Sequence, residues 1–307
     1  MQSSWKTWEV YRMEKKKNKK REKSSFARKA SQVAMCGPIT IWSLLFIYVP
    51  IGILLFMSFM TRGPIGTIKY EFTFENYKSI LDPVYFTVVK ESVVVAFFST
   101  ALSILLGYPF AYFMATKKPK TSGILMLLMM IPFWTNELVI VYSFVILLNN
   151  SGIINTLLQH LGMIGQPLEL LYNNFAIIVG MVYMLMPFAV LPMYSSIEKL
   201  DKGLIEASKD LGAGPVKTFF KVTLPLTSSG IFAGVILVFV PTIGYYQITD
   251  MLGGGTQMMI GNLVNNQFSI SRNWPFGAAL SMVLAILILI MLKVYQKMGG
   301  DLDDLAA

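Results

Sequence analysis

The chain has 307 residues, 54% of them hydrophobic and 14% charged, with a mean hydropathy of +0.58 and a formal net charge of +9. That balance excludes an ordinary soluble globular protein, where about a quarter of residues are charged, and the single cysteine, Cys36, excludes an internal disulfide framework. The positive charge is no general nucleic-acid signal, because it is gathered at one end: the first 36 residues hold eleven Lys or Arg against three Glu.

In chain order, residues 1–36 read as a basic cytoplasmic tail, centred on Glu14-Lys-Lys-Lys-Asn-Lys-Lys-Arg-Glu-Lys23, lying on anionic lipid. Nucleic-acid binding is an alternative for this tail only. The run Ile39–Met60 exceeds the apolar core of a cleaved signal, so residues 37–60 are expected to be a retained first span. Residues 61–91 are mixed and aromatic and read as an external loop with a short helix through Asn76–Leu81. Residues 92–298 form the core, with five further apolar runs, each near the roughly 20 residues that a membrane helix needs. They cover about Ser92–Met114, Gly123–Leu148 (interrupted by Pro132-Phe-Trp-Thr-Asn-Glu137), Phe175–Tyr194, Leu224–Tyr246 and Trp274–Leu292. Outer loops fall at 149–174 and around Gly253-Gly-Gly255, and 299–307 is a polar tail. The predicted class is an all-α membrane protein of six transmembrane helices.

Placing both termini in the cytoplasm leaves only Arg62, Lys69, Lys78, Lys90 and Arg272 outside. Every other basic residue then lies inside, as the positive-inside rule requires. Within the fifth span, Gly230-x-x-x-Gly234 offers a small-residue packing face.

The one polar island inside the core runs from Glu206 to Pro225. Asp201 can cap a short helix on which Leu204, Ala207, Ser208 and Leu211 form an apolar stripe. Lys202, Glu206, Lys209 and Asp210 occupy its other side. Gly212 sits where a left-handed residue ends a helix, and Pro215 and Pro225 sit where new helices begin. The spacing Glu206-Ala207-Ser208, Gly212, Val222-x-Leu224-Pro225 resembles the permease subunits of type I ABC importers, with Ser208 and Val222 as conservative departures. The resemblance implies the MetI-like permease fold. It also implies that this elbow, over 201–222, is a coupling helix docking on an ATPase subunit through Glu206, Ala207, Ser208, Gly212, Leu224 and Pro225.

Other residues carry chemistry of their own. Glu137 is the one acid well inside a predicted span, about 21 Å along a helix that starts at Gly123. Such a group usually faces a cavity or a partner. It reads equally as a cation-attracting point on a transport path, with Trp134 sharing its face for cation–π contact, or as the charge at a helix N-terminus capped by Asn136. Asp250 follows the fifth span among Tyr142, Tyr245, Tyr246 and Trp274, an arrangement suited to a small organic cation. Interfacial aromatics gather for simpler reasons too. His160 stands alone and Cys36 has no activating neighbour, so neither a metal site nor a catalytic residue is expected. No phosphate-binding loop with its Lys occurs.

Phe74-Glu-Asn-Tyr77, Leu81-Asp-Pro-Val-Tyr-Phe86, Ile131-Pro-Phe-Trp-Thr-Asn136, Met193–Lys202 and Asn273-Trp-Pro-Phe-Gly-Ala-Ala279 are similar to the polyamine branch of that family, the spermidine/putrescine permeases. That resemblance covers the chain from about residue 40. It implies a non-enzymatic membrane subunit with no cofactor of its own, in the inner or plasma membrane. Its implied partners are a second, PotC-like permease, a PotA-like ATPase pair carrying ATP and Mg, and a PotD-like external polyamine-binding protein. Alternatives are the same machine with another cargo (thiamine, an iron chelate or an anion) and an ATP-independent carrier or channel.

Overall fold

The computed structural model describes residues 37–297. The basic tail with Cys36 and the predicted 299–307 tail lie outside the described residues. The chain divides into two compact units, 1–56 and 57–307. What is described of the first is almost all of helix α1 (Gly37–Ser58), which carries one wide turn at Leu44–Tyr48. Its Ile41, Trp42, Phe46 and Ile47 are exposed, and a helix that is apolar all round suits a hydrocarbon surrounding.

The second unit opens with a hairpin where a mixed loop was predicted. Strand β1 (Met60–Arg62) pairs antiparallel with β2 (Ile68–Phe72), Thr61 lying opposite Lys69. Phe59 stacks on Phe72 with centroids 5.3 Å apart and also meets Phe74 and Tyr77, so aromatic pairing across the hairpin holds it shut. Arg62 Nη2 donates to the Ser271 carbonyl at 2.7 Å, tying the hairpin to a segment 209 residues away. A short helix, α2 (Glu75–Ser79), follows.

Helix α3 (Pro83–Ala115) starts nine residues before the predicted Ser92. Asp82 caps it, Oδ1 accepting from Val84 N at 3.0 Å, and Pro83 occupies the first turn, where its missing N–H has no partner to lose. At 33 residues it is about 50 Å long, well beyond a ~30 Å hydrocarbon core, and it brings Glu91 inside a helix. Its buried face is a seam of small residues: Ser92, Ala96, Ser99, Ser103, Gly107 and Ala111. That seam lets α3 pack closely against α7 (Asn174–Glu198) and α10 (Ser228–Gly244), the three helices forming the centre of the unit. On α10 the predicted Gly230 and Gly234 face is used. A Cβ on Gly230 would lie 2.6 Å from the Pro192 carbonyl oxygen, a distance that real side chains do not reach.

The predicted third span is broken. Helix α4 (Pro119–Trp134) ends at Thr135 and Asn136, both extended, and α5 (Glu137–Leu148) starts afresh. The stretch long and apolar enough to cross a membrane here is Glu137–His160, which includes α6 (Ile153–His160), and not Gly123–Leu148. After the elbow helices α8 and α9, described below, come α11 (Gln247–Gly253), α12 (Ile260–Ser269) and α13 (Trp274–Lys297). Among the described residues, five stretches meet the length and apolarity of a span, six if the bent pair Pro215–Leu226 and Ser228–Gly244 is one.

The predicted loop around Gly253-Gly-Gly255 begins one residue late, because Gly253 still belongs to α11 and the exposed turn starts at Gly254. Gly254 takes a left-handed backbone (φ 62°) and closes α11, whose Ile248 and Leu252 are buried against α7. The contact depends on Gly180, where an added Cβ would come within 2.6 Å of Leu252 Cδ1.

Candidate functional site

Two places in the second unit gather the polar residues picked out from sequence. The first is the elbow. Helix α8 (Lys202–Asp210) begins at Asp201, whose Oδ1 accepts from Gly203 N at 2.8 Å. It ends at Gly212, in a left-handed backbone of φ +78°. Gly212 N donates to the Lys209 carbonyl at 2.8 Å and Ala213 N to the Ser208 carbonyl at 3.0 Å, which is how a glycine-stopped helix satisfies its last carbonyls. Helix α9 (Pro215–Leu226) then starts on Pro215.

A two-hydroxyl clasp joins these helices. Ser208 Oγ donates to the Ile205 carbonyl at 2.9 Å, leaving its lone pairs for Thr218 Oγ1 at 2.8 Å. Thr218 is buried. The predicted stripe of Leu204, Ala207, Ser208 and Leu211 is thus split. Ser208 turns inward with Ile205, while Leu204, Ala207 and Leu211 face out, Leu211 with 88% of its surface exposed. The cause is the clasp itself, since a hydroxyl bonded across to α9 fixes which face of α8 is covered. Glu206 and Lys209 do not simply point away: they line a groove of about 460 Å³ with Tyr112 and Lys117 at the end of α3 and Glu198 at the end of α7.

Leu224 and Pro225 lie where the helix changes course. Pro225 was expected to open the fifth span, but the helix has already run from Pro215 through a wide turn at Phe219–Thr223. It then bends by 64° between α9 and α10. Proline has no N–H to give to the preceding turn, and Thr227 takes up the slack at the bend. Its Oγ1 donates to the Thr223 carbonyl at 2.8 Å and meets Tyr108 Oη of α3, also at 2.8 Å.

The second place is the break between α4 and α5. Asn136 caps α5, Oδ1 accepting from Leu138 N at 2.9 Å, which leaves Glu137 in the first turn, half-buried. Its partner was not picked out from sequence. With the amide nitrogen of Gln247 turned to the carboxylate, Nε2 donates to both Glu137 oxygens, at 3.0 and 3.1 Å. Tyr245, in the corner between α10 and α11, lies close enough to interact electrostatically with the same carboxylate. Two interrupted helices therefore meet at one acid. The break stands at the start of the apolar stretch Glu137–His160, so Glu137 is at the head of that stretch and not well inside a span as predicted. A signal for Gln247 did exist: it is the first polar side chain after a long apolar run that ends in Gly244.

The other candidates are placed apart from that pair. Trp134 cannot share a helix face with Glu137 at three-residue spacing, because Thr135 and Asn136 between them are extended. The residue is 68% exposed. Tyr142 and Tyr246 are exposed, and so is Asp250. No hydrogen bond joins any of these four side chains to Glu137 among the described residues.

Residues 107–296 match the family model for the inner membrane component of binding-protein-dependent transport systems. This chain belongs to that family. The permease is 43% identical over 256 residues to the spermidine/putrescine transport system permease protein PotB of Escherichia coli K12, covering 83% of this chain and 93% of that one. It is 41% identical, again over 256 residues, to PotB of Haemophilus influenzae, covering 83% and 90%. Its fold is similar to a chain in the crystal structure of a bacterial alginate ABC transporter in complex with an alginate pentasaccharide-bound periplasmic protein, with a TM-score of 0.74 over 90% of this permease and 96% of that chain. At 16% identity that likeness is one of fold alone. The elbow lies inside the family match, and Glu137 and Gln247 do too.

Proposed function

We propose that this permease is the membrane subunit of an ATP-driven polyamine importer, taking up spermidine or putrescine. The observation that carries the reading is kinship with the spermidine/putrescine permeases along more than four fifths of the chain. A second permease completes the path, an ATPase pair binds ATP and Mg, and an external binding protein delivers cargo. These are the PotC-, PotA- and PotD-like partners that the resemblance implies. Both termini are cytoplasmic, and so is the elbow.

In this reading the outward residues Leu204, Ala207 and Leu211 are the docking face of α8, and Glu206 lies at the edge of the same contact. The Ser208–Thr218 clasp makes α8 and α9 move together when the ATPase pair closes. The bend at Thr227 hands that movement to α10, in the centre of the membrane unit. Nucleotide binding changes the path only through a difference in contact between the two states, and the elbow supplies that difference. Glu137 attracts the cationic cargo on the path, with Trp134, Tyr142, Tyr246 and Asp250 along the approach.

The test is uptake of labelled spermidine and putrescine by the assembled transporter in proteoliposomes, with and without ATP. Uptake that needs ATP and resists competition by thiamine, a ferric chelate or an oxyanion supports the reading. ATP-independent uptake, or none of either polyamine, overturns it. An impermeant thiol label applied to intact cells tests the orientation: a single cysteine introduced within 201–222 is expected to stay unlabelled.

A further inference from the structure

We propose that Gln247 is a stand-in for the cargo's ammonium group: it holds Glu137 while the path is empty and yields it when a primary or secondary ammonium arrives. This rests on the cation-import reading above and adds to it a named latch between cargo and the corner at 244–247.

The starting point is an acid with an incomplete partner. The Glu137 carboxylate offers about four lone-pair positions on two oxygens. A single neutral amide nitrogen straddles them at 3.0 and 3.1 Å. No Lys or Arg among the described residues pairs with it; the salt bridge found there is Lys69–Glu71, in the outer hairpin. The half-buried carboxylate is thus held by a neutral donor and has no cationic partner among the described residues. A hydrogen bond from an ammonium is roughly twice as strong as one from a neutral amide. An amine cargo reaching this carboxylate therefore outcompetes Gln247 for the same oxygens.

What the amide lets go of gives the exchange a consequence. Gln247 is the first residue of α11, and Glu137 is the first of α5, so their bond pins the start of one interrupted helix to the start of another. The rest of α11 stays anchored on α7 through Ile248 and Leu252. The corner before it is tethered separately, Asn262 Nδ2 donating to the Tyr246 carbonyl at 3.1 Å. Loss of the Gln247 contact thus removes a tie between the starts of α11 and α5, while α11 stays packed on α7 and its corner stays tethered. Occupancy of the acid becomes a change in the joint between α5 and α11.

The experiment uses the assembled transporter with its binding protein, and spermidine as the probe. Gln247→Lys places a tethered ammonium on Glu137. A weak latch then becomes a stronger competitor that cargo still displaces, and KM for spermidine is expected to rise about tenfold or more with kcat largely kept, since each ~1.4 kcal/mol of added competition is a factor of ten. Gln247→Leu removes the competitor. Uptake is expected to persist with a lower KM, and ATP hydrolysis without cargo to rise. If the pair is only a structural strut, the order reverses: Gln247→Lys, now a salt bridge, transports like the parent, while Gln247→Leu loses kcat. That reversal overturns the inference. Co-purification of the partner subunits with each variant separates misassembly from a transport defect. Failure of the unaltered chain to take up polyamine counts against the cargo reading. Polyamine uptake by the unaltered chain, with Gln247→Lys at the same KM, counts against the latch alone.

Discussion

The elbow and the Glu137–Gln247 corner are both polar breaks in an apolar chain, yet they are built in opposite ways. Every hydrogen bond that shapes the elbow spans at most ten residues, from the Asp201 cap through the Gly212 stop to the Ser208–Thr218 clasp. The corner instead joins residues 110 positions apart, across two helices that each start anew there. A locally closed unit keeps its shape whatever the surrounding helices do, which suits a part that has to be pushed. A contact closed over long range exists only while the helices hold one arrangement, which suits a part that has to sense.

That contrast can be broken or sharpened by mutation. The largest effect is expected from Gly212→Val. Open space surrounds the position where a Cβ would stand, so the damage comes from the left-handed backbone at φ +78°, which costs about 1–2 kcal/mol for a residue with a Cβ and more when it is β-branched. ATP hydrolysis is expected to persist while uptake falls about tenfold (1.4 kcal/mol per decade); normal uptake at normal expression removes the elbow from the transmission path. Glu137→Gln comes next. It keeps the shape and removes the charge, so KM for polyamine should rise about fivefold, the equivalent of about 1 kcal/mol, for the charge-assisted part of the contact that a neutral amide does not replace. A fall in kcat with KM unchanged assigns Glu137 to α5 alone.

Ser208→Ala and Thr218→Val each open the clasp and should lower uptake per ATP by at most about fivefold, the equivalent of the roughly 1 kcal/mol of a net hydrogen bond. The double variant should be no worse than either single one, because contacting residues are not additive; additive losses deny that the two hydroxyls act as one. Asn136→Ala removes a cap worth about 1 kcal/mol. It is expected to lower the melting temperature in detergent slightly and to leave the Gly212 behaviour untouched.

The same contrast explains what could be read from the sequence. Caps, glycine stops and proline starts are local signals, so Asp201, Gly212 and Pro215 were legible, and the apolar runs that give the fold class were too. Which face of α8 is covered was not legible, because it depends on Thr218 reaching back to Ser208. Trp134 was assigned to the face of Glu137 by assuming a helix through Thr135 and Asn136, and the extended backbone there removes the assumption. The buried helix just before Gly254 and Gly255 was not legible, since nothing nearby in sequence reveals that Gly180 opens a seat for Leu252. The hairpin at 60–72 escaped notice for a similar reason: its aromatic clasp closes only when Phe59 meets Phe72. Gln247 escaped because its partner is a distant acid.

The bend at Thr227 has a mechanical meaning that follows from its arm lengths. The segment before it is about 18 Å long and the segment after it about 26 Å, at 1.5 Å per residue over Pro215–Leu226 and Ser228–Gly244. With Tyr108 gripping the fulcrum, the pair is a bell crank of ratio about 1.4. In the proposed mechanism a stroke delivered at the short arm would reappear enlarged, and turned through an angle, at the end of the long one, next to the joint where Gln247 begins.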